Sequence, residues 1–132
     1  MSSHSRNVAL LLVIFVVLPE CSRTDPGGTG EIRVSLAKFS IQASVQSFTP
    51  GVPYRLLITN RGQVNHELRI GPPSMQGGPG EVTFVDEMTL QPGTAHTIDV
   101  VFPEAAGSAA LEFACHLPAH YELGMHRPIT VH

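Results

Sequence analysis

The feature that most constrains the fold is an alternation of apolar and polar residues that recurs in short runs along the chain. Ile32, Val34 and Leu36 alternate with more polar neighbours, and the same pattern continues over 39–45. A period of two residues is that of a β-strand with one buried face. Eleven prolines and twelve glycines in 132 residues supply turns between such runs. The alternation therefore predicts an all-β chain.

The other apolar runs are short as well, and turn signals separate them. The run over 54–59 ends at Asn60-Arg61-Gly62, a tight-turn signal, and GPPSMQGGPG over 71–80 predicts an exposed loop. No segment has convincing helical periodicity. Seven or eight strands at these spacings favour a two-sheet Greek-key β-sandwich over residues 31–132. Beyond the first two alternating runs, strands are predicted over 54–59, 64–70, 82–90, 95–102, 109–114 and 128–131.

The N-terminal residues predict export rather than a part of the sandwich. The apolar run VALLLVIFVVL over 8–18 follows Arg6 and is shorter than the roughly 20 residues of a membrane-spanning helix. Residues 1–20 therefore resemble a secretory signal peptide. Cys21 follows where bacterial lipoproteins receive a lipid, although Glu20 replaces the usual small residue. The alternative is an ordinary leader that is cleaved nearby.

Residues 21–30 are polar and glycine-rich, and we expect them to form a flexible tether. The protein is then periplasmic or held at the extracytoplasmic membrane surface, and only a lipid on Cys21 would attach it to the membrane. A charged fraction of 14% and a formal net charge of -3, without a basic stripe, exclude a typical nucleic-acid-binding protein. Once Cys21 is removed or lipidated, Cys115 is the one remaining cysteine. A lone thiol in an oxidising compartment is a liability unless a ligand such as a metal occupies it.

The stretch FACHLPAHYELGMHRP over 113–128 concentrates metal-binding residues. Cys115, His120 and Met125 have the spacing C-x4-H-x4-M, in a predicted loop that follows a strand. Thiolate, imidazole and thioether are ligands of copper, and a blue-copper centre uses two histidines, one cysteine and a weak axial methionine. His66 is the candidate for the missing histidine, because a Greek-key sandwich brings distant residues together at one end.

Residues 35–70 and 88–125 resemble the cupredoxin family, the small type 1 blue-copper proteins, and the resemblance extends over 31–132. The C-x4-H-x4-M spacing is similar to that of rusticyanin-like members. The resemblance implies one type 1 copper ion, with His66, Cys115 and His120 in the plane and Met125 as the axial ligand. It also implies a one-electron carrier rather than an enzyme, with a transient redox partner such as a cytochrome or a respiratory complex.

The resemblance places one histidine ligand near the surface, and His120 is the candidate. Apolar residues around it would form a small docking patch of the size that transient interfaces use. This predicted patch consists of Leu117, Pro118, Ala119, Leu123 and the loop 72–75.

Three positions depart from the family pattern. Ala119 stands where a glycine often precedes the second histidine, Glu67 stands where Asn or Ser often follows the first, and residues 126–128 replace a small or aromatic residue and a glycine. Glu67 is either a carboxylate that orients a ligand or a solvated charge. His116 and His126 are predicted not to bind the metal, because neighbours in extended chain point to opposite sides.

Other functions remain alternatives. Copper binding, buffering or delivery without electron transfer uses the same ligands, although no methionine-rich or histidine-rich tract accompanies them. A thiol catalyst lacks any recognisable signature, and a metal-free interaction module would make the ligand spacing a coincidence. A multicopper oxidase needs a histidine where Ala114 stands and H-x-H pairs that the chain lacks. A binuclear copper site needs two cysteines in the loop, and only Cys115 is there.

Overall fold

The computed structural model describes residues 30–73, 76–104, 106 and 110–132. No α-helix occurs in these segments, and none of them forms a helix that is long and apolar enough to cross a bilayer. The predicted signal peptide over 1–20, Cys21 and the tether up to residue 29 lie outside the described residues. The described strands are β1 (Ile32–Ala37), β2 (Ser40–Ala43), β3 (Ser47–Phe48), β4 (Pro53–Asn60), β5 (Leu68–Gly71), β6 (Thr83–Val85), β7 (Ala95–Val101), β8 (Leu111–Ala114) and β9 (His126–Val131).

The strands form two sheets. One sheet has the order β2-β1-β4-β7 and the other has the order β3-β9-β8-β5-β6. Both are mixed, because β1 pairs with β4 and β3 pairs with β9 in parallel, while the other pairs are antiparallel. The predicted all-β, two-sheet sandwich is confirmed. The described residues hold more strands than the predicted seven or eight, partly because β3 has only two residues and leaves too short a pattern to find in the sequence.

Alternate residues of the strands fill the core between the sheets. Val34 and Leu36 of β1 are buried from one side, and Phe113 of β8 from the other. The ring centroid of Phe48 lies 4.5 Å from that of Phe102, which follows β7, and 6.1 Å from that of Phe113. Burial of one phenylalanine contributes about 1.5–3 kcal/mol, so this aromatic cluster contributes strongly to the packing of the two sheets.

Two predicted strands are several residues longer than the strands of the structure. The strand predicted over 64–70 begins only at Leu68, because residues 61–67 carry the chain from the first sheet to the second and have no strand to pair with. We call residues 61–67 the crossover. The strand predicted over 82–90 ends at Val85, where the Asp86 carboxylate accepts a hydrogen bond from the Thr89 amide (2.8 Å) and turns the chain.

The pairing of β5, β8 and β9 places the end of the crossover beside the C-terminal loop. Ala114 is the last residue of β8 and lies opposite Arg69 of β5 and His126 of β9. Residues 115–125, which we call the ligand loop, therefore leave one strand and return to its neighbour. Continued past Ala114, the antiparallel register sets Glu67 opposite His116. The sheet thus brings the crossover against the ligand loop.

Candidate metal centre

Three predicted ligands converge at this end of the sandwich. Side-chain donor atoms of His66, Cys115 and His120 all lie within 4.8 Å of one another. The Nδ1 atom of His120 lies 3.3 Å from the Sγ atom of Cys115 and 3.3 Å from the Nδ1 atom of His66. His66 and Cys115 are fully buried, and His120 is half-buried. The arrangement is a small, closed cluster with one member that reaches the surface.

Met125, the fourth predicted ligand, is fully buried and joined to two of the others through the backbone. Its amide donates a hydrogen bond to the carbonyl of His120 (3.0 Å), and its carbonyl accepts one from the amide of Cys115 (3.0 Å). The first and last residues of the ligand loop are therefore held together. Met125 is thus buried at the end of the ligand loop and bonded through its backbone to both other loop ligands.

Tight turns shape the ligand loop between these residues. The His120 amide donates to the Leu117 carbonyl (2.9 Å), and the Leu123 amide donates to the Ala119 carbonyl (3.1 Å). Ala119 has a φ of 67°, in the left-handed region that costs a residue with a Cβ about 1–2 kcal/mol. Glycine avoids this cost, which explains physically why a glycine suits the position before the second histidine. Ala119 keeps the same turn at a cost in stability.

Asn60 fixes the crossover, a role that the sequence did not reveal. Its side chain is fully buried, and its Nδ2 donates to the carbonyls of Val64 (2.8 Å) and Leu90 (2.7 Å). Its Oδ1 accepts from the amide of Gly62 (2.8 Å). The Leu90 carbonyl also accepts from the His66 amide (3.2 Å), so Asn60 and His66 share one anchor. As part of a turn signal, Asn60 gave no sign of this burial.

The imidazole of His66 is packed with one edge toward the cluster and the other against backbone. Its Nε2 is the one buried side-chain nitrogen or oxygen of the described residues without a hydrogen-bond partner. A Cβ at Gly62 would lie only 2.9 Å from this Nε2, so the ring needs a glycine there. Burial, helped by the neighbouring His120, lowers the pKa of His66 to about 4. The ring is therefore neutral at pH 7, the form that binds a metal.

Glu67 is a buried, hydrogen-bonded carboxylate and not a solvated charge. It is buried, and its Oε1 accepts hydrogen bonds from the His116 amide (2.9 Å) and from Nε of Arg69 (3.2 Å). Arg69 also donates from Nη1 to Glu81 (2.6 Å). The bond to the His116 amide joins the residue after His66 to the residue after Cys115. Glu67 thus ties together the two segments that carry the ligands.

His116 and His126 do not join the cluster. Their rings stack on opposite sides of Tyr121, with centroid separations of 4.5 Å in both pairs. The Nδ1 atom of His126 lies 3.3 Å from Oε2 of the buried Glu112. The two histidines that adjoin ligands in the sequence therefore pack against Tyr121 instead of joining the cluster.

Cys115 is a free thiol, and burial raises its pKa. A metal that binds it must therefore displace a proton, because the thiolate is the ligand form. Two imidazole nitrogens, one sulfur and a buried thioether are a donor set that suits copper. The residues present fit that ion. His66 is neutral at pH 7, and only the half-buried His120 exposes the cluster to solvent.

Comparisons with known proteins give the fold. No protein-family model matches the sequence, and a comparison with curated proteins finds no significant relative. Among solved structures, dithionite-reduced auracyanin from Roseiflexus castenholzii is similar with a TM-score of 0.59 and 21% identity, over 80% of this chain and 99% of that one. Auracyanin B is similar with a TM-score of 0.57 and 16% identity, over 78% of this chain and 87% of that one.

An azurin from Methylomonas sp. strain J is similar as well, with a TM-score of 0.53 and 13% identity, over 80% of this chain and 99% of that one. These are cupredoxin structures, and the expected resemblance to cupredoxins is confirmed at the level of the fold. The cluster of His66, Cys115 and His120 lies at one end of this sandwich, beside the buried Met125.

Proposed function

We propose that this chain is an exported blue-copper protein that carries single electrons. One type 1 copper ion would be held by His66, Cys115, His120 and Met125. The observation that carries the proposal is the convergence of three donor atoms within 4.8 Å in a buried, copper-binding donor set. When bound, such an ion supplies the exchange of one electron between its Cu(I) and Cu(II) states.

The residues of the site are suited to hold one geometry in both oxidation states. The backbone bonds of Met125 close the ligand loop, and Glu67 and Asn60 fix the crossover. His66 stays neutral at pH 7 because its pKa is about 4. Cys115 releases its proton when it becomes a ligand. Because these hydrogen bonds fix both segments, little rearrangement is expected, which favours fast electron exchange.

The comparisons support the proposed electron transfer, and the sequence supports the proposed export. The auracyanin structure is that of a protein reduced by dithionite, and this chain shares its fold at low identity. Residues 1–20 supply the proposed export signal, and a lipid on Cys21 would keep the carrier at the membrane surface. The partner would be a protein that docks transiently, such as a cytochrome or a respiratory complex.

The burial of Cys115 favours a carrier over a thiol enzyme. A catalytic cysteine needs an accessible thiolate, whereas Cys115 is fully buried and its pKa is raised by that burial. The buried Met125 favours copper over zinc, because structural zinc sites are built from cysteine, histidine and carboxylate ligands.

The test is to load the purified protein with copper(II). We expect intense blue absorption, an EPR spectrum with narrow parallel hyperfine splitting, and a reversible one-electron wave in voltammetry. Cys115→Ser should abolish the colour, whereas His116→Gln, which removes an adjacent histidine outside the cluster, should keep it. A colourless wild-type protein would contradict the proposal. A blue protein without a reversible wave would favour the copper-handling alternative.

A further inference from the structure

We infer that a basic pocket beside His120 is the docking site for an acidic, partly apolar surface segment of the redox partner. This inference rests on the proposed function, because the pocket adjoins the half-buried histidine through which electrons would pass. The pocket has a volume of about 450 Å³. We call it the basic pocket; its lining residues are Ala37, Lys38, Phe39, Arg61, Gly62, Gln63, Val64 and His120.

Two parts of the fold form the basic pocket. Residues 37–39 belong to the end of β1 and its turn into β2, and residues 61–64 begin the crossover. The Arg61 amide donates to the Leu36 carbonyl (2.7 Å), which holds the two parts together. The basic pocket is therefore built on fixed backbone, distinct from the predicted patch of ligand-loop residues except that both surround His120.

The charge of the basic pocket is opposite to that of the whole chain. Lys38 and Arg61 are exposed, and no acidic residue lines the pocket. In the described part of the chain, neither has an ion pair, whereas Arg55 and Arg69 are both paired with carboxylates. The full sequence has a net charge of -3. Two unpaired cations beside His120 thus mark the place where an acidic partner would be attracted.

Phe39 gives the basic pocket an apolar wall that touches the candidate ligand. Its φ of 56° lies in the left-handed region, which bulky residues rarely adopt. This conformation sets the Phe39 ring edge-on to the ring of His120, with 5.4 Å between centroids. Nζ of Lys38 lies 5.6 Å from the centroid of the Phe39 ring. Backbone strain of this kind persists where the surroundings demand it, often at functional sites.

The mixture of walls and charges defines the chemistry of the partner. Phe39, Ala37 and the half-exposed Val64 suit an apolar side chain, and Lys38 and Arg61 suit a carboxylate next to it. A pocket of this volume accommodates a few side chains. Exposed charges at the rim of an interface act mainly on the rate of association, which is the property that a transient carrier needs.

The first experiment measures bimolecular oxidation of the copper(I) protein by stopped flow at low ionic strength. Hexacyanoferrate(III), a trivalent anion, stands in for an acidic partner, and tris(phenanthroline)cobalt(III) serves as the cationic reagent. We expect Lys38→Gln and Arg61→Gln each to lower the rate constant of oxidation by the anion by about threefold to tenfold. The rate constant with the cation should stay the same or rise. Arg33→Gln is the matched control, because it removes one exposed charge near the opposite end of β1. Equal effects of all three substitutions would overturn the inference.

The second experiment does not depend on electron transfer. Amide chemical shifts are followed by NMR while the protein, metal-free or copper(I)-loaded, is titrated with a Leu-Glu-Leu-Glu-Leu peptide or with its lysine counterpart. We expect the acidic peptide alone to shift residues 37–39 and 61–64, and Lys38→Gln with Arg61→Gln to weaken its binding. Shifts elsewhere, or equal shifts with both peptides, would overturn the docking site and leave the carrier intact. Failure to form a blue copper site would instead contradict the proposed function.

Discussion

The two segments that carry the candidate ligands are held in different ways. The ligand loop supplies Cys115, His120 and Met125, and its own backbone bonds close it. The crossover supplies only His66 and is fixed by the buried side chains of Asn60 and Glu67, which bond to distant backbone. Sequence spacing thus organises one half of the site, whereas buried polar side chains position the other half. Substitutions in either segment test this difference.

The largest effect on stability is expected from Asn60→Ala. It removes one buried and two part-buried hydrogen bonds, and it leaves the carbonyl of Val64 and the amide of Gly62 without this partner. We expect a loss of about 3 kcal/mol in the free energy of unfolding of the metal-free protein, measured with urea. Asn65→Ala, a half-buried asparagine of the same crossover, should cost less than about 1 kcal/mol. Equal losses would show that Asn60 is not the anchor.

Glu67→Ala should be the next in size. It leaves the half-buried His116 amide without its acceptor and separates the crossover from the ligand loop, while Arg69 keeps Glu81 as a partner. We expect a loss of about 2 kcal/mol in stability and a drop of roughly tenfold in copper affinity, measured by competition with a chelator. Glu67→Gln keeps a carbonyl acceptor and should recover most of the affinity. If Glu67→Ala binds copper as well as the wild type, the bridge has no role at the site.

The pH dependence of the metal-free protein should report on His66. Its pKa falls from 6.5 in the unfolded chain to about 4 in the fold, so the unfolded state binds more protons between these values. Stability is therefore fully present above pH 6.5, decreases as the pH falls toward 4, and stops decreasing on this account below 4. We expect a change of about 1–2 kcal/mol, since solvent near the site screens part of the shift.

The measurement is urea unfolding from pH 7 to pH 4. His66→Gln is the control, and the difference between the two proteins isolates His66, because burial also lowers the pKa of His116. A constant difference across this range would contradict the assignment of a neutral, buried imidazole.

Ala119→Gly should have the smallest effect and the opposite sign. Glycine adopts the left-handed φ of 67° without the steric cost of a Cβ, but it also makes the unfolded chain more flexible. We expect a net gain of about 0.5–1 kcal/mol in thermal or urea unfolding. Gly124→Ala, at a φ of 100° in the same ligand loop, should destabilise the protein instead. A gain from both substitutions would show that backbone strain does not shape the loop.

The sequence predicted what depends on short-range pattern. The alternation of apolar residues gave the two-sheet sandwich, and the C-x4-H-x4-M spacing gave three residues that lie together. Selection of His66 needed the fold as well, because 49 positions separate it from Cys115. The structure brings it into the cluster, although it precedes β5 rather than lying on the strand.

The remaining features depend on which polar groups are buried, and local sequence does not encode that. An asparagine before Arg61-Gly62 is typical of an exposed turn, yet Asn60 is buried because its amide replaces backbone partners where the chain leaves the sheet. Glu67 is similar, since its carboxylate is buried only because β5 and β8 set it opposite the His116 amide. The basic pocket arises where residues 37–39 and 61–64 meet, and no motif connects them.

The bond from the Cys115 amide to the Met125 carbonyl makes the ligand loop a closed module. Because its first and last residues remain joined, a longer or shorter stretch between them changes mainly the entropy of closing a ring, which grows slowly with length. Descendants of this protein can therefore acquire new surface properties around His120 by insertion or deletion while the sandwich is unchanged. The crossover has no such freedom, since hydrogen bonds to Leu36, Leu90 and His116 attach it to three other parts of the chain.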